Sequence, residues 1–180
     1  MARLTRIVTR SGDTGQTGLG DGQRVDKTSP RIAALGDLDE LIAALGLITV
    51  NTANRQAREL IEHTQQQLFD LGGELAVPGS HTLAEQEVGW LEHQLEQLNQ
   101  TLPPLQEFLL PGGNAASAHA QLARAICRRA ERSLWRLSRT ETLNSTSLKY
   151  INRLSDLLFV LARTLARQTS EQEQTWNKER

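Results

Sequence analysis

A single cysteine, Cys127, stands in 180 residues. One thiol excludes an intramolecular disulfide and any metal centre built from several cysteines. Inside a helical pattern it reads as a small buried or half-buried group. An excess of one charge is also missing, since 20 Lys and Arg face 21 Asp and Glu. That balance gives no overall field to draw the chain to nucleic acid or to an acidic membrane. No apolar run approaches the roughly 20 residues that span a bilayer. The opening "MARLTRIVTR" lacks the apolar core of a secretory signal, so a cytoplasmic protein is expected. Strand patterns are nearly absent, with residues 4–9 alone alternating enough for a short extended piece. There is no internal repeat and no low-complexity segment.

What is present is helical periodicity, in a chain long enough for one domain with a core of reasonable size. A first helix opens at Ser29 as N-cap with Pro30 at its first position, where a missing N–H costs nothing. A second runs from about Ala53 to Ala76 and ends at "AVPGS"; a third spans about 82–100. "TLPPLQEFLLPGG" is an irregular connection. The fourth helix, about 114–140, carries Leu122, Ile126, Ala130, Leu134 and Leu137 on one face, and the fifth, about 146–169, repeats the pattern from Leu148 to Leu165. Stripes of this kind bury against one another, so the expected fold is all-α: a five-helix antiparallel bundle carrying an amino-terminal glycine-rich arm. The expected divisions of this single domain, 1–180, are arm 1–28, bundle 29–170 and a frayed tail 171–180.

Two polar faces stand out from ordinary surface. Arg124, Arg128, Glu131, Arg132 and Trp135 share one face of the fourth helix. Three guanidiniums in a row need an anion or carboxylates to hold them, and Arg suits bidentate contacts to phosphate. A salt-bridged surface is the competing reading. On the fifth helix, Asn152, Asp156 and Arg163 lie beside the leucine stripe, where polar groups are hydrogen-bonded to something specific. Asp37, Asp39 and Glu40 form an acidic cluster in the first helix. It is either a solvated turn or a partner for the arginines, within the chain or across a subunit contact.

The segment "RSGDTGQTGLGDGQRVDK" (10–27) has almost nothing to bury. It is not a P-loop, for no Gly-Lys-Ser/Thr follows, and no βαβ unit makes it a dinucleotide fingerprint. Glycines still let backbone N–H groups approach phosphate oxygens, Thr hydroxyls add donors, and Arg10 and Lys27 supply point charges. The segment is read as wrapping a polyphosphate, against the alternative of a flexible arm.

The chain resembles the PduO-type ATP:cob(I)alamin adenosyltransferases. "TRSGDTGQTGLGDGQRVDKTSPRIAALGDLDEL" (9–41) is similar to that family's amino-terminal signature. "FLLPGGNAASAHAQLARAICRRAER" (108–132) and "YINRLSDLLFVLAR" (150–163) resemble its Phe-x-x-Pro-Gly-Gly, Cys-Arg-Arg-Ala-Glu-Arg and Asn-Arg-Leu-Ser-Asp-x-Leu-Phe elements. The middle, about 50–105, contributes nothing to the likeness.

The resemblance implies a homotrimer with active sites between subunits, moving the 5′-deoxyadenosyl group of ATP, with Mg²⁺, to the cobalt of cob(I)alamin. Thr9, Arg10, Ser11, Gly12, Thr17, Gly18 and Lys27 would form the ATP arm. Arg128, Arg129, Ala130, Glu131, Arg132 and Asn152 would complete the nucleotide site. Asp39 and Arg124 would make an ordering salt bridge at the interface, and Phe108 would cover the lower face of the corrin. No protein cage for a metal is implied. A reductase and an adenosylcobalamin-dependent enzyme are possible partners; nucleic acid and membrane are not. The chain departs from the family pattern at Arg10, where lysine is common, at Ile42 and Ala43, where Asn-Ser is common, and at Gly18, where a small hydroxylated residue often stands. Competing expectations are a non-catalytic ATP- or cobalamin-binding carrier or sensor, and a nucleic-acid binder using "CRRAERSLWRLSR" (127–139), against which Glu131 and the charge balance weigh.

Overall fold

Each of four helices begins with a side chain that satisfies an otherwise orphaned amide. In a computed structural model describing Val8, residues 10–170 and 172–178, Ser29 accepts from the Ile32 amide at the start of α1 (Pro30–Asn51). Asn54 accepts from Ala57 at the start of α2 (Arg55–Ala76), Asn114 from Ser117 ahead of α4 (Ala115–Leu137), and Asn144 from Thr146 ahead of α5 (Ser145–Ala166). The shorter α3 (Glu85–Asn99) has no side-chain cap but places Glu85 and Glu87 in its first turn, where carboxylates favour the helix dipole. The helix expected to reach residue 140 stops at Leu137, because the amide and hydroxyl of Thr140 both turn back to the Leu137 carbonyl. None of these helices is long and apolar enough to cross a membrane.

The central helix α4 packs against α1 and α5, with α2 on α1 and α3 on α5. Leu38, Leu41, Leu45 and Ile48 meet Leu134, Leu137, Ile151, Leu154 and Leu158 in one core. One expected core residue is misplaced: Leu122 is half exposed. The buried face of α4 instead runs through Ala120, Ala123, Cys127, Ala130, Leu134 and Leu137, and Leu122 is turned about 100° from its neighbour Ala123. Small residues on that face let α1 and α5 approach closely. Cys127 is buried as expected, its thiol facing the Ile151 carbonyl at 3.3 Å.

The amino-terminal arm holds a hairpin that the sequence pattern does not announce. β1 (Gln16–Gly18) pairs antiparallel with β2 (Arg24–Asp26), Thr17 opposite Val25. The extended piece expected at 4–9 lies outside the described residues, Val8 apart. The hairpin is tied to the end of α2 by the Gly20 amide, 2.7 Å from the Ala76 carbonyl. A side chain at Gly20 would meet Val77 Cγ2 at 2.8 Å, so glycine is required for this approach.

Polar staples close the same end of the bundle. Buried Arg31 pairs with Glu141 across the α1 and α4 ends. Buried Glu74 accepts from the Thr82 and Leu83 amides, from Asn144 and from Ser147.

At the opposite end the described tail residues do not fray. The Leu110 amide donates to Gln174 O at 2.9 Å and the Trp176 amide to Phe108 O at 2.7 Å, around a bridge between Leu109 and Thr175. The cause is charge: Glu173 meets Arg163, which is buried on α5.

Candidate active site

The arm is held in shape by its own cations. Arg24 Nη2 donates to the Ser11 carbonyl at 2.7 Å and to Gln16 O at 3.2 Å, drawing residues 10–16 into a tight loop. Arg10 takes φ +59°, unusual for a side chain with a Cβ, and its carbonyl accepts the Asp13 amide. The Lys27 amide reaches Gly15 O at 2.9 Å, and its ammonium lies over Gly12, where a Cβ would come 2.9 Å from Nζ. Ser11, Gly12, Thr17, Gly18 and Lys27 are thus brought into one small loop and hairpin. Its exposed amides and single ammonium suit an anion. Thr9 lies outside the described residues.

The cationic face of α4 divides. Arg129 is committed to α1: its guanidinium bonds Asp37 at 3.0 Å and also pairs with Glu40. Hydrogen bonds to Glu40 and Asp37 hold it more firmly protonated than an ordinary arginine, and the same bond lowers the Glu40 carboxyl pKa. Ser133 adds a hydrogen bond to Asp37. Arg128 and Arg132 are exposed, with no ion pair or hydrogen bond among the described residues. Glu131 accepts from Asn152 at 3.0 Å, which locks α4 to α5 beside them. Ala130 is fully buried and its side chain belongs to the core.

Arg124 is half-buried, bonded to Gln121 at 3.1 Å and lying 5.6 Å over the Phe159 ring. Asp39 is exposed on α1 and is not paired with Arg124 within the chain. The α1–α4 contacts of Asp37 and Glu40 with Arg129 place Asp39 about a turn nearer the end of α4 than Arg124.

Phe108 stands far from the arm. It precedes α4, 76% exposed, with its ring edge-on to Trp176 at 6.4 Å between centroids. Arg128 lies 13 residues into α4, roughly 20 Å of helix rise from its start. The arm is anchored where α2 ends, next to the start of α1 and the end of α4. The chain therefore presents an apolar ring at one end, guanidiniums along α4 and a glycine-rich loop at the other end. No three His, Cys, Asp or Glu converge on a metal-sized site among the described residues.

The family model described as cobalamin adenosyltransferase matches residues 7–165. This chain belongs to the cobalamin adenosyltransferase family. A cobalamin adenosyltransferase of Cupriavidus metallidurans is 49% identical over 99% of this chain and 97% of its own length. The corrinoid adenosyltransferase PduO of Citrobacter freundii is 44% identical over 87% of this chain, which spans about half of that longer protein. A variant of the PduO-type ATP:corrinoid adenosyltransferase from Lactobacillus reuteri, solved with cobalamin and ATP, superposes with a TM-score of 0.88 at 35% identity, covering 96% of this chain and all of that one. The adenosyltransferase fold is thus shared along nearly the whole chain.

Sequence reasoning missed several members of this adenosyltransferase's candidate site. Arg24 lies inside the 9–41 block that carries the resemblance, but its role as the staple of the loop needs coordinates. Phe159 closes the Asn-Arg-Leu-Ser-Asp-x-Leu-Phe element, but its place under Arg124 needs coordinates. Gln121, which also holds Arg124, and Trp176, which meets Phe108, carry no local signal.

Proposed function

We propose that this protein transfers the 5′-deoxyadenosyl group of ATP to the cobalt of cob(I)alamin, forming adenosylcobalamin and releasing triphosphate. The observation that carries this reading is the split among the α4 arginines. Arg129 takes the nearby carboxylates, leaving Arg128 and Arg132 exposed and, among the described residues, unpaired for an anion. Cobalt(I) is itself the nucleophile: its electron pair forms the Co–C5′ bond, the C5′–O bond breaks, and that pair leaves on the triphosphate. The chain needs no general base. It supplies alignment, and cations where negative charge develops.

In this reading Arg10, Ser11, Gly12, Thr17, Gly18 and Lys27 hold the triphosphate. Arg128 and Arg132 face the nucleotide, with Asn152 fixing Glu131 beside them. Mg²⁺ would arrive on the phosphate oxygens and neutralise part of their charge. The exposed Thr and Ser hydroxyls and water suit its preference for oxygen, and no carboxylate cage is required. Phe108 would exclude the lower axial ligand of cobalt, which eases reduction of cob(II)alamin. Asp39 and Arg124, apart within one chain, would pair across a homotrimer interface that unites the arm of one protomer with α4 of another. A cytoplasmic location, a reductase and an adenosylcobalamin-dependent acceptor enzyme complete the proposal.

An anaerobic optical assay tests it. Protein, Mg·ATP and pre-reduced cob(I)alamin are mixed and the cob(I)alamin absorption is followed. Its loss only with ATP, yielding a light-sensitive alkylcobalamin, is expected. ATP binding with a persistent cob(I)alamin signal would make the protein a carrier or sensor. Phe108→Ala should slow the route from cob(II)alamin far more than the route from cob(I)alamin; equal losses would remove its proposed role.

A further inference from the structure

Residues 103–113, which carry Phe108, form no helix and pack little of themselves on the bundle. A cleft of about 470 Å³ separates them from α4 and α5, with Ser117, Gln121 and Ala162 among its walls. The two ends of the segment are pinned. Arg163 Nη2 donates to Pro103 O at 2.9 Å, and at the far end Asn114 Nδ2 donates to Leu165 O at 2.7 Å. Gly113 lies so close to α5 that a Cβ would meet that of Ala166 at 3.1 Å. Between these pins, the backbone of 108–110 is held by the tail: Leu110 to Gln174, Trp176 to Phe108.

The tail in turn is held by one charged side chain. Glu173 accepts from Arg163 Nε at 2.9 Å and Nη2 at 3.0 Å, a two-pronged pair whose side chains are only 10% and 5% exposed. Arg167 stands behind it at 3.7 Å. The same guanidinium that grips Pro103 therefore also grips the strand that supports Phe108. A buried pair of this geometry resists displacement, because removing one member leaves the other charge without compensation.

We propose that Arg163 and Glu173 are positioning residues: their ion pair clamps residues 172–176 against 108–110 and so sets where Phe108 stands. The inference rests on the reading of Phe108 as the group that displaces the lower axial ligand. It adds to that reading a support located in the tail and on the last turns of α5, away from every nucleotide-binding residue. A ring that must lie against the corrin gains from a fixed backbone, since small misplacements at a reacting centre cost rate steeply.

The test uses the full chain with Glu173→Ala and, as the conservative partner, Glu173→Gln, which keeps a hydrogen-bond acceptor for Arg163. Amide exchange at Leu110 and Trp176 is expected to quicken about tenfold or more in Glu173→Ala, as a locally held segment opens. Turnover from cob(II)alamin with a chemical reductant should fall about tenfold, while turnover from pre-reduced cob(I)alamin stays within about twofold, the split that separates positioning of Phe108 from general damage. With cob(II)alamin and Mg·ATP, the nitrogen superhyperfine splitting in the EPR spectrum reports the lower axial ligand; it should persist in Glu173→Ala and fade in the unaltered protein. Glu173→Gln should recover part of each effect, and it supplies the same comparison should Glu173→Ala fail to fold. Unchanged exchange, equal loss in both routes, or faster turnover in Glu173→Ala, which would make the tail a plug, each overturns the proposal. An unaltered protein that never consumes cob(I)alamin with ATP overturns the transferase reading and the clamp's role with it. An active protein beside an unaffected Glu173→Ala overturns the clamp alone.

Discussion

Arg128, Arg129 and Arg132 share one helix and one chemistry, and their surroundings give them different work. Arg129 spends its donors on Asp37 and Glu40, so its effect is to hold α1 to α4. Arg128 and Arg132 have no such partner among the described residues, and in the proposed function they serve the nucleotide. Arg128→Ala should lower turnover by about 10²-fold or more, the range found when a donor to developing negative charge is removed. Steady-state rates with cob(I)alamin check this, and a rate equal to that of the unaltered protein would end its assignment. Tyr150 illustrates the opposite case. Its hydroxyl is buried without a partner among the described residues, and Thr64, near it in the core, donates its own hydroxyl to Leu60. Burial pushes the phenol pKa above its usual range. Tyr150→Phe should therefore be neutral or should stabilise by up to about 1 kcal/mol, because an unmade hydrogen bond is lost at no expense. Urea unfolding measures it; a clear loss of stability would mean that the hydroxyl is satisfied.

At the scale of the element, periodicity carried the helices, because α1 to α5 each bury one face. The N-caps were legible where Ser29–Pro30 stood together. The hairpin β1–β2 was not, since strands of three residues leave almost no alternation and their pairing depends on Arg24 and on the anchorage at Ala76. Leu122 stands one position off the seam, a shift that a loose helical pattern does not register, while the true seam is written in alanines. The docked tail is not legible in the sequence, because it depends on a pairing between Arg163 and Glu173 that composition cannot express. Of the candidate site, the cations of the arm and of α4 were legible as types at spacings. The commitment of Arg129 and the burial of Ala130 were not, for both depend on where α1 lies. Glu74 belongs to this scale too. One carboxylate gathers two amides after α2, the cap residue of α5 and Ser147. Glu74→Ala should cost about 3 kcal/mol, as several buried donors lose their acceptor together. Chemical denaturation checks this, and a loss below about 1 kcal/mol would show that water replaces the carboxylate.

For the whole molecule, the arm and Phe108 sit at opposite ends of the bundle, and Asp39 is exposed without a partner among the described residues. Asp39→Ala should weaken self-association and lower activity by about tenfold at dilute protein, as expected when one member of an interfacial charge pair is truncated. Sedimentation beside activity over a concentration series checks it; an unchanged, fully active oligomer would reject the interface role.

The long α4 is also the molecule's ruler. From Asn114 at its head to Arg128 and Arg132 further along, it spaces the guanidiniums from the end of the segment that carries Phe108 in rigid steps of about 1.5 Å. Adding one residue to that span would turn everything beyond it by about 100° and carry the guanidiniums off their face. Residues 104–107, ahead of the backbone that the tail holds, can be lengthened or shortened at a cost that grows only slowly with length. Changes of length are thus tolerated in front of α4 and not within it.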